Sequence, residues 1–213
     1  ADGGRIVNVS SGLTRFALRR ATNVVPHHFE VDRQARQALN GHAAKVLWLT
    51  GFSGSGKSTI ADAVERKLHS LGIRSFVLDG DNLRSGLNKD LGFTPEDRAE
   101  NVRRVAEVAH LMYDAGLVAI VALVSPFRAD RQTARSLFPD GDFVEAWVDT
   151  PIEVAMERDT KGLYAKSKAG TLPNLTGVGQ EYETPETAEL HLSGTDDVDD
   201  NVAKVLDALG VSA

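Results

Sequence analysis

The chain contains no cysteine, which excludes a disulfide framework and any thiolate metal site. That composition suits a cytoplasmic protein, and cytoplasmic is the expected location. No apolar run approaches the roughly 20 residues of a membrane span. Positive charge is in deficit: 24 Lys and Arg stand against 30 Asp and Glu, for a net charge of −6. General affinity for nucleic acid is therefore not expected, because an acidic surface repels a polyanion. The opening Ala1-Asp2-Gly3-Gly4-Arg5 lacks the apolar core of a signal peptide. There is no internal repeat and no low-complexity tract. The histidines, at 27, 28, 42, 69, 110 and 191, show no metal-ligand spacing and read as surface or packing residues. What remains, in 213 residues that are 42% hydrophobic and 25% charged, suits one compact α/β domain with an appended segment.

Residues 51–59 read Gly-Phe-Ser-Gly-Ser-Gly-Lys-Ser-Thr. This is a phosphate-binding loop: successive backbone N–H groups cradle phosphate oxygens, Lys57 reaches the β- and γ-phosphates, and the Ser58 hydroxyl sits on Mg²⁺. The flanks supply the required setting. Lys45–Thr50 is a short apolar run of the kind buried in a parallel sheet. Ile60, Ala61, Val64, Leu68 and Leu71 recur at helical spacing up to Gly72. The helix N-terminus adds partial positive charge to the phosphate site. The ligand class is thus a nucleoside triphosphate, bound through Gly51, Ser53, Gly54, Ser55, Gly56, Lys57, Ser58 and Thr59.

Further apolar runs follow at 75–78, 117–123, 143–148 and 190–192, with helical patterns between most of them. The alternation predicts a five-stranded, mostly parallel sheet with helices on both faces. A short helix over 32–39, capped by Asp32, precedes the first strand. Residues 1–26 leave no clear core face and read as a linker or a remnant of a preceding domain. Residues 198–209 read as a packing helix without chemistry. In parallel sheets ligands bind beyond the carboxyl ends of the strands, and two carboxylates stand there: Asp79 at a strand end and Asp81 two residues on. One is a candidate for the Mg²⁺ shell, the other for orienting an acceptor hydroxyl. The competing reading is turn chemistry, since Asp-Gly-Asp-Asn is good turn sequence.

Residues 82–93 read as a polar loop in which Arg84 suits a bidentate contact with phosphate or sulfate. Phe93 is either a base-stacking platform or a core anchor. Thr94-Pro95-Glu96-Asp97 is an N-terminal capping pattern. The apolar stripe of the helix it opens runs through Val102, Val105, Ala106, Ala109 and Met112 or Tyr113. Extended backward, it brings Arg98 and Asn101 inward at the ligand end, where buried charge needs a partner. Arg158 to Lys168 is basic and runs into Gly170, Pro173, Gly177 and Gly179, as a lid closing over phosphates would. Ser125, at the end of the third run, has no adjacent base to make it a nucleophile.

Two functional classes share such a loop: small-molecule kinases and nucleotide-dependent switches or motors. A GTPase would carry Asn-Lys-x-Asp, whereas here Asn88-Lys89-Asp90 is followed by Leu91. The short chain, basic lid and Arg98/Asn101 helix favour a kinase. The segment 79–93, Arg98-x-x-Asn101, Val124-Ser125-Pro126-Phe127-Arg128 and Arg158-Asp159-x-Lys161-Gly162-Leu163-Tyr164 together resemble the motifs of adenylyl-sulfate kinases over roughly residues 27–213. Members of that family transfer the γ-phosphoryl group of ATP to the ribose 3′-hydroxyl of adenylyl sulfate, with Mg²⁺. Other readings are a kinase of another small metabolite and a non-catalytic nucleotide-binding module.

The resemblance implies roles for individual residues. Asp81, Arg84, Phe93, Arg98, Asn101 and Lys161 match the adenylyl-sulfate readers, with the Val124 and Ser125 backbone and the lid residues Asn174 and Leu175. Leu175 stands where the family often has Phe, so it covers a base without stacking well. Arg158 goes with the ATP site, and Ser58 and Asp79 with the metal. Lys57, Asp81 and Ser125 are the catalytic candidates. Ser125 matches a serine assigned in some members as a phosphorylated intermediate, yet in-line transfer needs only positioning and charge stabilisation. Residues 16–23 resemble the end of the GTPase subunit of sulfate adenylyltransferase in fused bacterial proteins. The implied partners are ATP, adenylyl sulfate, a second copy of the chain and sulfate adenylyltransferase subunits, fused or in complex, with no nucleic acid and no membrane.

Overall fold

A computed structural model describes Val25 and residues 27–211. The expected linker over 1–26 falls almost wholly outside the described residues. The described residues up to Glu30 belong to a separate unit, in which the His27 and Phe29 rings meet edge to face at 4.9 Å. Residues 31–213 form the other unit.

The sheet of this larger unit is built on β1 (Lys45–Thr50), whose residues from Val46 onward are all buried. A strand covered on both faces needs an unbroken apolar run, and alternate side chains serve two cores. Leu47 and Leu49 join one core. Val46 and Trp48 join the other, where the Trp48 ring stacks on Phe143 at 5.7 Å. The remaining strands are β2 (Ser75–Asp79), β3 (Val118–Ala122), β4 (Phe143–Asp149) and β5 (Leu190–Ser193), in spatial order β2-β3-β1-β4-β5 with every pairing parallel. β1 is thus flanked by β3 on one side and β4 on the other. The chain order reverses at this point, opening a crevice beyond the strand ends.

Helices cover both faces, as the sequence pattern predicts. After α1 (Arg33–Asn40), capped by Asp32, α2 (Lys57–Ser70) buries Ile60, Ala61, Val64 and Leu68 against the first core. Leu71, read as part of that stripe, instead lies at the helix C-cap and is 39% exposed. A second difference lies at the start of 82–93, read as a polar loop: its first residues belong to α3 (Gly80–Ser85). Its cause is the Asp79 side chain, which accepts from the Asp81 and Asn82 amides at 3.0 and 3.3 Å.

On the opposite face α4 (Pro95–Asp114) starts at Thr94, whose hydroxyl accepts from the Asp97 amide at 3.2 Å. Its inward stripe is the expected one, with Tyr113 fully buried. Short helices α5 (Arg128–Arg135), α6 (Ile152–Arg158) and α7 (Leu163–Lys168) follow β3 and β4. The last helix, α8 (Val198–Ala208), packs Val202, Val205 and Leu206 beside α2 in the first core.

Each fully buried aliphatic side chain here contributes about 1.5–3 kcal/mol. Ile120→Ala, in the middle of β3, should lower unfolding free energy by about 2–5 kcal/mol in urea titrations. Leu111→Ala, on the exposed side of α4, should change it by less than about 0.5 kcal/mol.

Candidate active site

The ends of β2 and β3, with the segments just after β1 and β5, line one cavity of about 450 Å³, and Arg158, Thr160, Lys161 and Leu163 reach it from beyond β4. β1 contributes the phosphate loop, which crosses to α2 through Gly54 and Gly56, both at positive φ. Gly51 also has to be glycine: at φ 147° a Cβ would lie 2.5 Å from the Val148 carbonyl oxygen. Lys57 is buried. Its Nζ donates to the Gly51 and Phe52 carbonyls at 2.9 and 2.6 Å. Burial, then the charge of Lys161, push the Lys57 ammonium down to about 7, while Asp79 and Asp81 oppose the shift.

β2 ends in Asp79, one of whose carboxylate oxygens accepts from the Ser58 hydroxyl at 2.7 Å while the other caps α3. The Asp79-Gly80-Asp81-Asn82 stretch, read as turn sequence, is thus the capped start of a helix. A hydroxyl and a carboxylate are hard oxygen donors of the kind Mg²⁺ takes from protein when phosphates supply further ligands, so Ser58 and Asp79 fit the ion. The Asp81 side chain extends into the cavity and forms an ion pair with Lys161 from the basic segment.

The opposite wall comes from α3, the segment after it and the first turns of α4. Phe93 is not a core anchor: it is 40% exposed and lines the cavity, with the Arg84 and Arg98 guanidinium carbons 4.5 and 5.4 Å from its ring centre. Arg84 donates to the Leu91 and Gly92 carbonyls. Arg98 is 7% exposed and donates to the Phe93 carbonyl at 3.3 Å and the Asn174 carbonyl at 2.8 Å. Burial and the neighbouring Arg84 lower Arg98 to about 10. The buried Asn88 donates its amide N–H to Asn101 Oδ1 at 3.1 Å. That contact leaves the Asn101 amide donors free for a ligand.

The basic segment closes over the loop. Tyr164 donates its hydroxyl to the Ser53 carbonyl at 2.9 Å, and burial raises the phenol to about 12, so it stays a donor. Arg158 reaches the Gly54 carbonyl at 3.4 Å and the Gly194 carbonyl at 2.9 Å. Asp159 holds α7 by accepting from the Tyr164 and Ala165 amides. Leu175 lines the cavity from above and packs with Ala155 and Tyr164.

Val124 and Ser125 form the wall beyond β3. Ser125 has φ 37°, a left-handed value that non-glycine residues seldom adopt. Such a backbone costs on the order of 1–3 kcal/mol and persists only where its surroundings hold it. Its hydroxyl accepts from Trp48 Nε1 at 3.1 Å and donates to Thr50 Oγ1 at 2.9 Å. Both partners are neutral, so no base activates it.

The cavity thus gathers most of the expected residues, from Ser53, Gly54, Gly56, Lys57, Ser58 and Thr59 through Asp79, Asp81 and Arg84 to Arg158, Lys161 and Leu175. Gly51, Ser55 and Asn174 stand behind its walls. Ser55 is fully buried and its carbonyl accepts from Thr150 Oγ1, while Asn174 offers its carbonyl to Arg98. Val198 and Asn201 of α8, with Gly194, Thr195 and Asp196 just before it, also line the cavity, which the sequence reading did not anticipate. The strand-end rule that singled out Asp79 applies equally to β5 and would have found them.

A phosphate loop beside an acceptor wall, on this sheet, defines a small-molecule kinase of the phosphate-loop class. The Adenylylsulphate kinase family model matches residues 43–193. The chain is 55% identical over 187 residues to an adenylyl-sulfate kinase of Citrobacter koseri, covering 88% of this chain and 93% of that protein. It is 53% identical over 202 residues to the bifunctional enzyme NodQ of Azospirillum brasilense, covering 94% of this chain but only 33% of that protein. Among solved structures, the APS kinase CysC of Mycobacterium tuberculosis in complex with AMPPNP and APS superposes with a TM-score of 0.76 at 46% identity, covering 79% of this chain and 98% of that one. The chain belongs to the adenylyl-sulfate kinase family.

Two outcomes follow from the geometry. A Cβ on Gly194 would overlap Thr150 Oγ1 and the Ser55 carbonyl oxygen. Gly194→Ala should therefore cost about 1–3 kcal/mol of stability in thermal unfolding and weaken triphosphate binding. The second concerns pH. With Lys57 lowered to about 7, its amine is mostly neutral above that pH, whereas bound phosphate favours the ammonium. Binding must then take up a proton, and affinity for ATP should fall by up to about tenfold per pH unit above pH 7. Calorimetry at pH 8 in buffers of different ionisation enthalpy should show net proton uptake by Lys57 on nucleotide binding, on top of any change in the nucleotide itself. An affinity independent of pH between 7 and 9 would contradict the lowered Lys57.

Proposed function

We propose that this chain transfers the γ-phosphoryl group of ATP to the ribose 3′-hydroxyl of adenylyl sulfate. One observation carries the reading: a single cavity joins the phosphate loop at Lys57 and Ser58 to the Phe93–Arg84–Arg98 wall, with Asp81 beside both. The loop amides and Lys57 take the β- and γ-phosphates, and Arg158 adds positive charge at the donor side. Phe93 offers a face for the acceptor adenine. Arg84, Arg98 and Asn101, with the Val124–Ser125 backbone, take its phosphosulfate and base edges. Lys161 and Leu175 close over it from the lid. Ser58 and Asp79 would hold Mg²⁺, which would neutralise part of the phosphate charge during transfer. Asp81 accepts or orients the 3′-hydroxyl proton, with Lys161 as its counter-ion. Transfer is direct and in line, and Ser125 positions substrate rather than receiving phosphate.

Residues 27–213 are proposed as the kinase domain and 1–26 as the remnant of a preceding domain. The relation to NodQ supports a native protein in which this domain is fused to a sulfate adenylyltransferase subunit. The intact mass of the native gene product tests this: a stand-alone protein of this length would sink it. A homodimer and a cytoplasmic location complete the reading, the first testable by light scattering.

Coupled ADP assays test the chemistry. Lys57→Ala should lower kcat by about 10²–10³-fold and Asp81→Asn by about 10²–10⁴-fold. If Asp81→Asn kept most of its kcat, the role of Asp81 should be dropped. Adenylyl sulfate should be turned over, and gluconate, shikimate and nucleoside monophosphates should not. A transferable phosphoserine at Ser125 would overturn direct transfer.

A further inference from the structure

Arg131, on α5, is 2% exposed and does not line the cavity, yet all its hydrogen-bonding arms are used. Its Nε donates to Glu145 Oε1 of β4 at 2.8 Å. Nη1 donates to the Ser125 carbonyl at 2.7 Å, and Nη2 to the Glu183 carbonyl at 2.7 Å. Glu145 is buried and further held by Arg135 at 3.2 Å. The guanidinium plane is therefore fixed on the strand side before it meets Ser125. The Glu183 backbone is tied to the same turn a second time, its amide donating to the Pro126 carbonyl at 2.9 Å.

We infer that Arg131 is a positioning residue of the acceptor site, holding Ser125 in its left-handed backbone conformation and so fixing the Val124–Ser125 wall of the cavity. The strain at φ 37° calls for a restraint on the backbone itself, and a hydroxyl contact cannot supply it alone. Trp48 and Thr50 hold the Ser125 side chain, Thr50 Oγ1 also reaches the Val124 and Ser125 carbonyls at 2.8 and 3.4 Å, and the charged Arg131 guanidinium makes the shorter bond to the Ser125 carbonyl. Lysine cannot replace this arrangement. Its single nitrogen has no planar fork to meet a carboxylate and two carbonyls in different directions. The inference rests on the proposal that Val124 and Ser125 belong to the adenylyl-sulfate site.

The test is a cycle of Arg131→Lys, Ser125→Gly and the double variant. Steady-state kinetics is run with both substrates, folding is checked by thermal unfolding, and the Trp48 indole N–H resonance is followed by NMR. Arg131→Lys keeps the charge facing Glu145, which protects the fold. It should raise KM for adenylyl sulfate by about tenfold and leave KM for ATP within about twofold. Glycine adopts positive φ without a steric penalty. In the Ser125→Gly background the same substitution should therefore raise KM for adenylyl sulfate by less than about threefold. The Trp48 indole resonance, which reports the bond to Ser125 without any turnover, should shift in Arg131→Lys. An equal rise in both KM values would overturn the inference, as would the same factor in both backgrounds or an unmoved indole resonance. Failure of the parent chain to use adenylyl sulfate would instead remove the proposed substrate, leaving the indole shift to decide whether Arg131 holds Ser125.

Discussion

The Asp79 carboxylate joins the two halves of the cavity, and much of the site depends on it. One oxygen takes the Ser58 hydroxyl of the phosphate loop and the other takes the first free amides of α3. A group at the end of β2 thereby sets where the loop begins its helix and where Asp81 and Arg84 leave theirs. Both acceptor sites of the carboxylate are used within the chain, and a metal ion at Ser58 would share one of them. The same residue is thus a helix cap and a candidate metal ligand, and these roles are compatible because they use different oxygens.

Positive charge is concentrated where the protein as a whole is acidic. Lys57, Arg84, Arg98, Arg158 and Lys161 meet around one cavity in a chain of net charge −6. Their mutual repulsion, added to burial, lowers Lys57 and Arg98. Among the described residues only Lys161 of these five has a carboxylate partner, Asp81, and the arginines are held mainly by backbone carbonyls. Carbonyls orient a guanidinium without neutralising it, so the charge remains available to an anion. The acidic remainder of the surface keeps such a site from becoming a general polyanion binder.

Periodicity made much of this legible. The two-sided burial of β1 follows from Lys45–Thr50, and the inward placement of Arg98 and Asn101 from counting back along the Val102–Val105–Ala109 stripe. Thr94 caps its helix as its sequence indicates. Helix α3 was not legible, because Gly80-Asp81-Asn82 has poor helical propensity and forms a helix only where Asp79 caps it and the surrounding structure supports a single turn. Gly194 escaped notice because its constraint is the approach of Thr150 and Ser55, far away in sequence. Arg131 looked like any arginine of a polar helix; its partners on β4, at Ser125 and at Glu183 are separate in sequence and meet only in the fold.

The sequence by itself determined the ligand class, the parallel sheet and the identity of most cavity residues. Each of these follows from local spacing: a glycine loop, alternating cores and a helical stripe. The tertiary structure decided how those residues are held. It set which Asp79 oxygen serves Ser58, that Phe93 faces the cavity between two arginines, and that Ser125 sits at positive φ under a buried guanidinium. These depend on burial and on contacts between distant segments, where desolvation and several simultaneous hydrogen bonds select one conformation among those the local chain allows.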